Sequence, residues 1–438
     1  MVYIFRIFHL KGVDELSQEI TTYLADKFNT VRNQTLTLIE PLEQEDFVIQ
    51  ASTDVSPPKW HIAHTTWFFE RMILQEYDDT YHVFDPVYNY LFNSYYNSIG
   101  PYQPRHQRGV LSRPTVKDVI AYRKHVDQAV LTLLRQERET ALQQVIEQLV
   151  EMGLQHEQQH QELILMDVKY NFFTNPLLPA YQNRQVERHG TDQSLPLTFT
   201  RFEGGLVEIG HEGRGFAFDN ESPVHKAWLE PFELATRPVT NREFMAFIEA
   251  GGYEQAEYWL SDGFQVVTQQ QWKAPLYWMK DQQGDWSIFT LNGVEPLQLD
   301  EPVCHVSFYE ADAYSRWCGK RLPTEAEWEH VGRQVDQQGN FMEQGSYHPV
   351  PVQVANQSVN GMFGDVWEWT ASAYAPYPKS RPLEGALGEY NAKFMCNQMV
   401  LRGGACVTPG NHIRATYRNF FPPAKRWQFS GFRLAGDL

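Results

Sequence analysis

The sequence has few cysteines, and their spacing excludes two common kinds of site. Its 438 residues include only four: Cys304, Cys318, Cys396 and Cys406. None of them forms a Cys-x-x-Cys pair, so neither a zinc ribbon nor a disulfide framework is indicated. So few cysteines in a chain of this size favour reduced thiols, as in the cytosol.

Long apolar runs and clusters of positive charge are also missing. No apolar run approaches the ~20 residues that cross a bilayer. The apolar start from Met1 to Leu10 is short, contains Arg6 and lacks a small-residue cleavage site, so we expect no signal peptide and a cytoplasmic protein. The net charge of −17 at pH 7 would repel phosphate backbones and anionic lipids, which makes nucleic acids and membranes poor candidate partners.

The chain is long enough for two domains, and its two halves differ in pattern. Helical periodicity and start signals predict four helices, near residues 14–38, 56–75, from 112 onward and 140–170. Ser56 as N-cap, followed by two prolines, is a strong start signal for the second helix. We therefore predict a four-helix bundle over residues 14–173.

The second half of the chain has a different composition and periodicity. Residues 174–197 mix Pro, Asn, Gln and charged residues without periodicity, and we interpret them as a linker. From residue 198 to 438, short β-type runs alternate with Gly, Pro and Asn turns. The predicted fold class is thus multidomain, with an α bundle followed by an irregular α+β domain.

The strongest chemical signal is a pair of histidines on the fourth helix, His156 and His160. Residues four apart lie on one helix face, so both imidazoles could bind one ion. The second helix offers His61 and His64 as a third ligand, and His64 is favoured because it lies a turn deeper in the bundle. Glu162 falls nearly opposite His160 and is assigned no ligand role. An isolated pair at this spacing is often a solvated helix face, but histidines on two helices favour a metal site.

The spacing of the histidines does not identify the metal. Three neutral imidazoles would leave three open positions on octahedral iron(II), enough for a thiolate, a second substrate and oxygen. Zinc prefers a tetrahedral site with a single open position, which suits hydrolytic or transfer chemistry. Both metals remain open at this point.

A long segment between the second and third helices, residues 78–113, carries further candidate groups. A loop of this length in a compact bundle is usually functional or disordered, and its aromatic content favours order. Tyr95 and Tyr96 offer phenols that could transfer a proton or an electron. The guanidinium groups of Arg105 and Arg108 suit a substrate carboxylate. The structural alternative is a packed tyrosine pair and two surface arginines.

Residues 202–434 resemble the sulfatase-modifying-factor domain, which is also the domain of formylglycine-generating enzymes. The matching strings are NREF (241–244), KRLPTEAEWE (320–329), GDVWEW (364–369), LRGG (401–404) and GFRLA (431–435). Formylglycine-generating enzymes place two copper-binding cysteines after Arg-Gly-Gly. This sequence has only Cys406 there, so a copper oxidase is disfavoured.

The first half is similar to DinB-like bundles, whose metal site takes one histidine from helix two and two from helix four. Together with the string WHIAHTTWFFE (60–70), this pairing of domains resembles the sulfoxide synthases of ergothioneine biosynthesis. The resemblance implies that His64, His156 and His160 bind iron(II), with Gln159 beside an imidazole substrate. It also implies that oxygen is a co-substrate. That family joins the sulfur of cysteine or γ-glutamylcysteine to carbon 2 of hercynine, the trimethylated betaine of histidine, as a sulfoxide.

The resemblance also implies a catalytic tyrosine. Some members of the family use one in the second domain after Trp-Glu-Trp, where Tyr377 is the nearest match, and others use the Tyr95 and Tyr96 type. We favour Tyr96, with Tyr95 and Tyr377 as alternatives.

Substrate-binding residues are expected from both halves of the chain. A trimethylammonium group is best held by aromatic faces, for which Phe420 and Phe421 are candidates, although packing in the core is an equal alternative. Asn419 could bind the polar end of the betaine. Arg105 and Arg108 could bind the carboxylate of the thiol substrate.

Three other functions are compatible with parts of the sequence. A zinc-type small-thiol transferase shares the bundle but usually lacks the second domain. A 5-histidylcysteine sulfoxide synthase of ovothiol biosynthesis commonly carries a methyltransferase domain, which has no counterpart here. A lectin-like binding module fused to a degenerate bundle would bind no metal. The natural thiol donor and the oligomeric state stay open.

Overall fold

A computed structural model of the chain describes residues 13–183, 195–352 and 358–438. Two features interpreted from the sequence fall outside this part: the apolar start from Met1 to Leu10, and residues 184–194 of the expected linker. The chain divides into two compact units, Met1–Ile164 and Leu165–Leu438, called here the first and second units. The domain boundaries expected at residues 173 and 198 stay predictions. No helix in the described part is long and apolar enough to cross a membrane.

The first unit is built from helices. Its α-helices are α1 Val13–Ile39, α2 Pro58–Phe69, α3 Gln75–Tyr77, α4 Tyr88–Phe92, α5 Val116–Arg135 and α6 Thr140–Thr174, the last of which continues into the second unit. A π-helical turn, Glu70–Leu74, joins α2 to α3, and 3-10 turns occupy Gln44–Val48 and Arg105–Val110. The four long helices correspond to those predicted.

Two of the predicted helix starts need correction. Helix α2 begins at Pro58 with Pro57 as its N-cap, so Ser56 is not the cap. Proline at the first position is favoured by its fixed φ and its missing N–H, and the hydroxyl of Ser56 instead accepts a hydrogen bond from Arg108. Helix α5 begins at Val116, where Thr115 forms a capping box with Asp118.

Helix α2 is the core element of the first unit. Every residue from Pro58 to Phe69 is buried, as expected of a helix that packs on all sides. The apolar face of α5 packs into the same unit, with Val119, Val126 and Val130 fully buried. Polar side chains on α2 are therefore held inside the protein, where they must find partners.

The described residues of the second unit combine short helices and short strands. The α-helices are α7 Asn241–Glu249, α8 Ser261–Gln270, α9 Phe308–Trp317 and α10 Glu325–Gly332. The strands are β1 Phe199–Phe202, β2 Gly205–Ile209, β3 His225–Leu229, β4 Phe232–Ala235, β5 Trp278–Lys280, β6 Trp286–Thr290, β7 Gly293–Pro296, β8 Trp367–Ala373, β9 Met399–Arg402, β10 Asn419–Phe421, β11 Ser430–Gly431 and β12 Ala435–Asp437.

These strands form four small sheets. Their orders are β1-β4-β12, β10-β9-β8-β11, β2-β3 and β5-β6-β7. Among the described strands, β8 and β11 pair in parallel, and the other pairs are antiparallel. The predicted fold class, a helical bundle followed by an α+β domain, is confirmed.

Buried charged residues hold the irregular parts of the second unit together. Glu368 on β8 accepts hydrogen bonds from Arg433 Nε at 2.6 Å and from the indole of Trp328 at 2.7 Å. Arg402 on β9 donates to Glu329 at 3.0 Å. All four of these charged side chains are fully buried. Removing either Glu368 or Arg433 would therefore leave the other charge inside the protein without its ionic partner.

Candidate metal centre

Three buried histidines of the first unit meet in one cluster. The candidate ligand atoms of His64, His156 and His160 all lie within 4.8 Å of one another. Nitrogens bound to one ion at about 2.1 Å are at most about 4.2 Å apart, which the observed spacing approaches. In the described part of the chain, no other group of three or more His, Cys, Asp or Glu residues has this geometry.

The electrostatics of the cluster favour neutral imidazoles. Burial, helped by repulsion from neighbouring imidazoles, lowers the pKa of His64 and His160 well below the ordinary value. Burial lowers the pKa of His156 to about 3. A neutral imidazole keeps a lone pair on one nitrogen, which is the form that binds a metal.

The orientation of His64 is fixed by its neighbours. Its Nδ1 lies 2.6 Å from the carbonyl oxygen of Phe92. Because a carbonyl only accepts, Nδ1 carries the hydrogen and Nε2 carries the lone pair. The imidazole is stacked with the indoles of Trp60 and Trp67, at centroid distances of 4.6 and 5.6 Å and interplanar angles of 14° and 15°. Positions 60, 64 and 67 share one helix face, so the sequence could have indicated this stack, but our reading missed it.

The donor set fits a first-row transition metal. Imidazole nitrogens suit iron, zinc, copper and nickel, whereas calcium and magnesium require oxygen ligands. No carboxylate belongs to the cluster among the described residues, and Glu162 accordingly lies outside it. Three nitrogen donors leave coordination positions open for substrates.

A buried carboxylate next to His156 fixes this part of α6. Glu157 is fully buried and contacts Arg32 at 2.5 Å, Thr35 at 2.6 Å and also Arg123. Burial opposes its ionisation, but the two guanidinium groups prevail and lower the pKa of Glu157 below its usual range. Our sequence reading missed this residue, although its place beside a ligand histidine was a possible signal.

The two arginines predicted to bind a carboxylate lie in different environments. Arg108 is buried, and its guanidinium carbon lies 3.3 Å from the ring centroid of Trp60. It donates to the hydroxyls of Ser56 at 2.9 Å and Ser94 at 3.0 Å. Arg105 is exposed and donates to the carbonyl of Asp54. Only Arg108 thus contacts the aromatic stack around His64.

The tyrosine pair lies on the far side of the same stack. Tyr96 is fully buried, and its ring centroid is 5.6 Å from that of Trp67 and 4.7 Å from that of Tyr95. The side chain of Asn93 accepts from the backbone N–H of Tyr96 at 3.0 Å. Gln159, on α6 between the two histidines of that helix, is half-buried.

The remaining candidates belong to the second unit. Tyr377 is buried, its hydroxyl accepts from Arg402 at 2.9 Å, and burial raises its pKa. Phe420 stacks on Tyr374 at 4.0 Å, and Phe421 meets Trp427 edge-on at 5.3 Å. The side chain of Asn419 accepts from the N–H of Phe420 at 2.8 Å.

The comparisons with known proteins cover both units. Residues 191–438 match the sulfatase-modifying factor enzyme 1-like domain, and residues 27–164 match the DinB superfamily. The chain is 29% identical to a hercynine oxygenase from Mycolicibacterium thermoresistibile, over 95% of both chains. It is 30% identical to one from Mycolicibacterium smegmatis, over 95% of this chain and 99% of that one. A third, from Mycobacterium tuberculosis, is 32% identical over 66% of this chain and 71% of the relative.

Proposed function

We propose that this chain, which belongs to the hercynine oxygenase family of oxygen-using oxidoreductases, is an iron(II)-dependent sulfoxide synthase. In this proposal it joins the sulfur of cysteine or γ-glutamylcysteine to carbon 2 of hercynine. The thiol and carbon 2 each lose a hydrogen, one oxygen atom of O2 forms the sulfoxide, and the other leaves as water. The observation that carries the proposal is the buried cluster of His64, His156 and His160.

The three histidines would hold iron(II), which when bound supplies the Lewis acidity and redox capacity that this reaction requires. Their low pKa values keep the imidazoles unprotonated at neutral pH. The stack of Trp60 and Trp67 on His64 keeps water away from that ligand and fixes its plane. This part of the site is therefore preorganised, and the substrates need to be ordered only around it.

We propose the same substrate-binding residues that were predicted from the sequence. Gln159 extends from the same helix as two of the ligands and could hydrogen-bond an imidazole. Arg108 and Arg105 would bind the carboxylate of the thiol substrate through charge-assisted hydrogen bonds. We assign the stronger role to Arg108, because it lies on Trp60 and is itself oriented by two hydroxyls.

For proton transfer we propose Tyr96, with Tyr95 and Tyr377 as alternatives. Tyr96 is buried, and its backbone is held by Asn93. Tyr377 already accepts a hydrogen bond from Arg402, and the guanidinium carbon of Arg418 lies 4.1 Å from its ring centroid. These contacts favour a positioning or structural role for Tyr377.

For the betaine end of hercynine we propose Asn419, Phe420 and Phe421. A trimethylammonium group has no N–H to donate, so aromatic faces are its natural partners, at about 0.5 to 2 kcal/mol per contact. Phe420 and Phe421 are half-exposed on β10, although Phe420 shares one face with Tyr374.

The proposal is tested by one reconstitution. The protein is purified without oxygen, loaded with iron(II), mixed with hercynine and cysteine or γ-glutamylcysteine, and then exposed to air. We expect oxygen uptake and a product whose mass equals both substrates plus one oxygen atom minus two hydrogens. In a parallel reaction with histidine in place of hercynine, preferential formation of a bond to carbon 5 of histidine would favour the ovothiol-type reaction. Thiol transfer with zinc and no oxygen uptake would favour a transferase.

A further inference from the structure

His61, which the sequence offered as an alternative ligand, contacts one of the ligand histidines instead. Its Nδ1 lies 2.8 Å from the Nδ1 of His160, and both side chains are buried. The two ring centroids are 5.0 Å apart with an interplanar angle of 57°. His61 is not a member of the three-histidine cluster.

The contact between two Nδ1 atoms restricts the tautomers of both rings. One nitrogen must carry the hydrogen and the other must accept it, because two lone pairs or two hydrogens would repel. If His61 donated, a neutral His160 would carry its own hydrogen on Nε2 and would have no lone pair left for an ion. If His160 donates from Nδ1, its Nε2 is free to bind. A metal on His160 thus requires that His61 be the acceptor.

We propose that His61 is a positioning residue that accepts the Nδ1 hydrogen of His160, fixes its metal-binding tautomer and raises the basicity of its Nε2. This rests on the proposed three-histidine metal site. Metal-bound histidines usually donate their second N–H to a carboxylate, a carbonyl or water. His64 does so, because its Nδ1 donates to the carbonyl of Phe92. For His160 the acceptor is the neutral imidazole of His61.

The placement of His61 follows from helix geometry. It lies one residue after Trp60 and three before His64, so the same buried helix α2 carries a ligand and the partner of another ligand. Loss of such a partner typically weakens metal affinity by 10- to 100-fold. We expect metal affinity to weaken by this factor when the hydrogen-bond acceptor at the position of the Nδ1 of His61 is removed.

The test compares amide replacements in the full-length chain. In His61→Asn the side-chain oxygen can occupy the position of Nδ1, whereas in His61→Gln it reaches only toward the position of Nε2. The dissociation constant of cobalt(II) is measured anaerobically by competition with a chelator, together with the cobalt absorption spectrum. Thermal unfolding of the metal-free variants reports on packing. His125→Gln, an exposed histidine on α5, and His160→Ala serve as controls.

We expect His61→Asn to bind cobalt(II) within a few-fold of the original protein, and His61→Gln to bind it about 10- to 100-fold more weakly. His61→Asp, a stronger acceptor, should bind at least as tightly as the original. Equal affinities for the Asn and Gln variants, whether retained or lost, would overturn the role of His61 as acceptor. Unchanged cobalt binding by His160→Ala would instead overturn the proposed metal site itself.

Discussion

Replacing Glu157 with alanine should destabilise the first unit strongly. The carboxylate is fully buried between Arg32, Arg123 and Thr35. After its removal, Arg32 retains its ion pair with Asp127 at 2.6 Å. Among the described residues, Arg123 retains a hydrogen bond to the backbone carbonyl of Arg32 at 2.7 Å but no ion pair within 4.0 Å. Breaking a buried ion pair from one side costs about 3 to 5 kcal/mol, because the remaining charge loses its compensation.

A matched control is available on the same helix. Glu151 also forms an ion pair, with Lys27 at 2.6 Å, but both side chains are partly exposed. Such pairs contribute about 0.2 to 1 kcal/mol. Glu151→Ala therefore changes helix propensity by the same amount as Glu157→Ala, but it does not break a buried ion pair.

The assay is thermal unfolding of the metal-free protein, followed by circular dichroism at 222 nm. For a unit of this size, 1 kcal/mol shifts the midpoint by about 2 to 4 °C. The first helical transition should move down by about 6 to 20 °C for Glu157→Ala and by no more than about 4 °C for Glu151→Ala. Equal shifts for the two variants would refute the reasoning about buried charge.

Two further predictions concern packing and a buried lysine. In Gly153→Ala, the new Cβ would lie 2.5 Å from a ring carbon of buried Phe69. We expect the free energy of unfolding to fall by about 1 to 3 kcal/mol, although alanine has the better helix propensity. A raised unfolding midpoint would contradict this. Burial lowers the pKa of Lys169, which contacts His305 at 2.8 Å, from 10.5 to about 8. Between those values the unfolded chain binds more protons, so stability should rise with pH. Relative to Lys169→Met, the free energy of unfolding should therefore increase by up to about 3 kcal/mol between pH 7.5 and 10.5, and a constant difference in urea unfolding would exclude this titration.

Helical spacing and the expected packing of a bundle were sufficient to select the three histidines of the candidate metal centre. His156 and His160 fall on one helix face because residues four apart always do. His64 was preferred over His61 for its depth in the bundle, and the structure brings His64 to that pair. The contact from His61 to His160 could not be foreseen, since it depends on how α2 and α6 pack.

Interactions between distant residues are what the sequence could not predict. Glu157 bonds to Arg32, which lies 125 positions away, and the sequence around Arg32 does not identify it as the partner. The start of α2 was misplaced by one residue, because a serine before two prolines is a common cap. In the second unit, recognisable strings indicated the fold class, whereas the bounds of its short strands depend on long-range pairing.

The central claim is that three imidazoles from two helices bind a single metal ion. Iron X-ray absorption of the anaerobically reconstituted protein tests it most directly, because the scattering from outer imidazole atoms counts the histidine ligands. We predict three imidazoles per iron in the unaltered chain, and two imidazoles or loss of iron in His64→Ala. One imidazole or none in the unaltered chain, or the same count of three in His64→Ala, would contradict the claim.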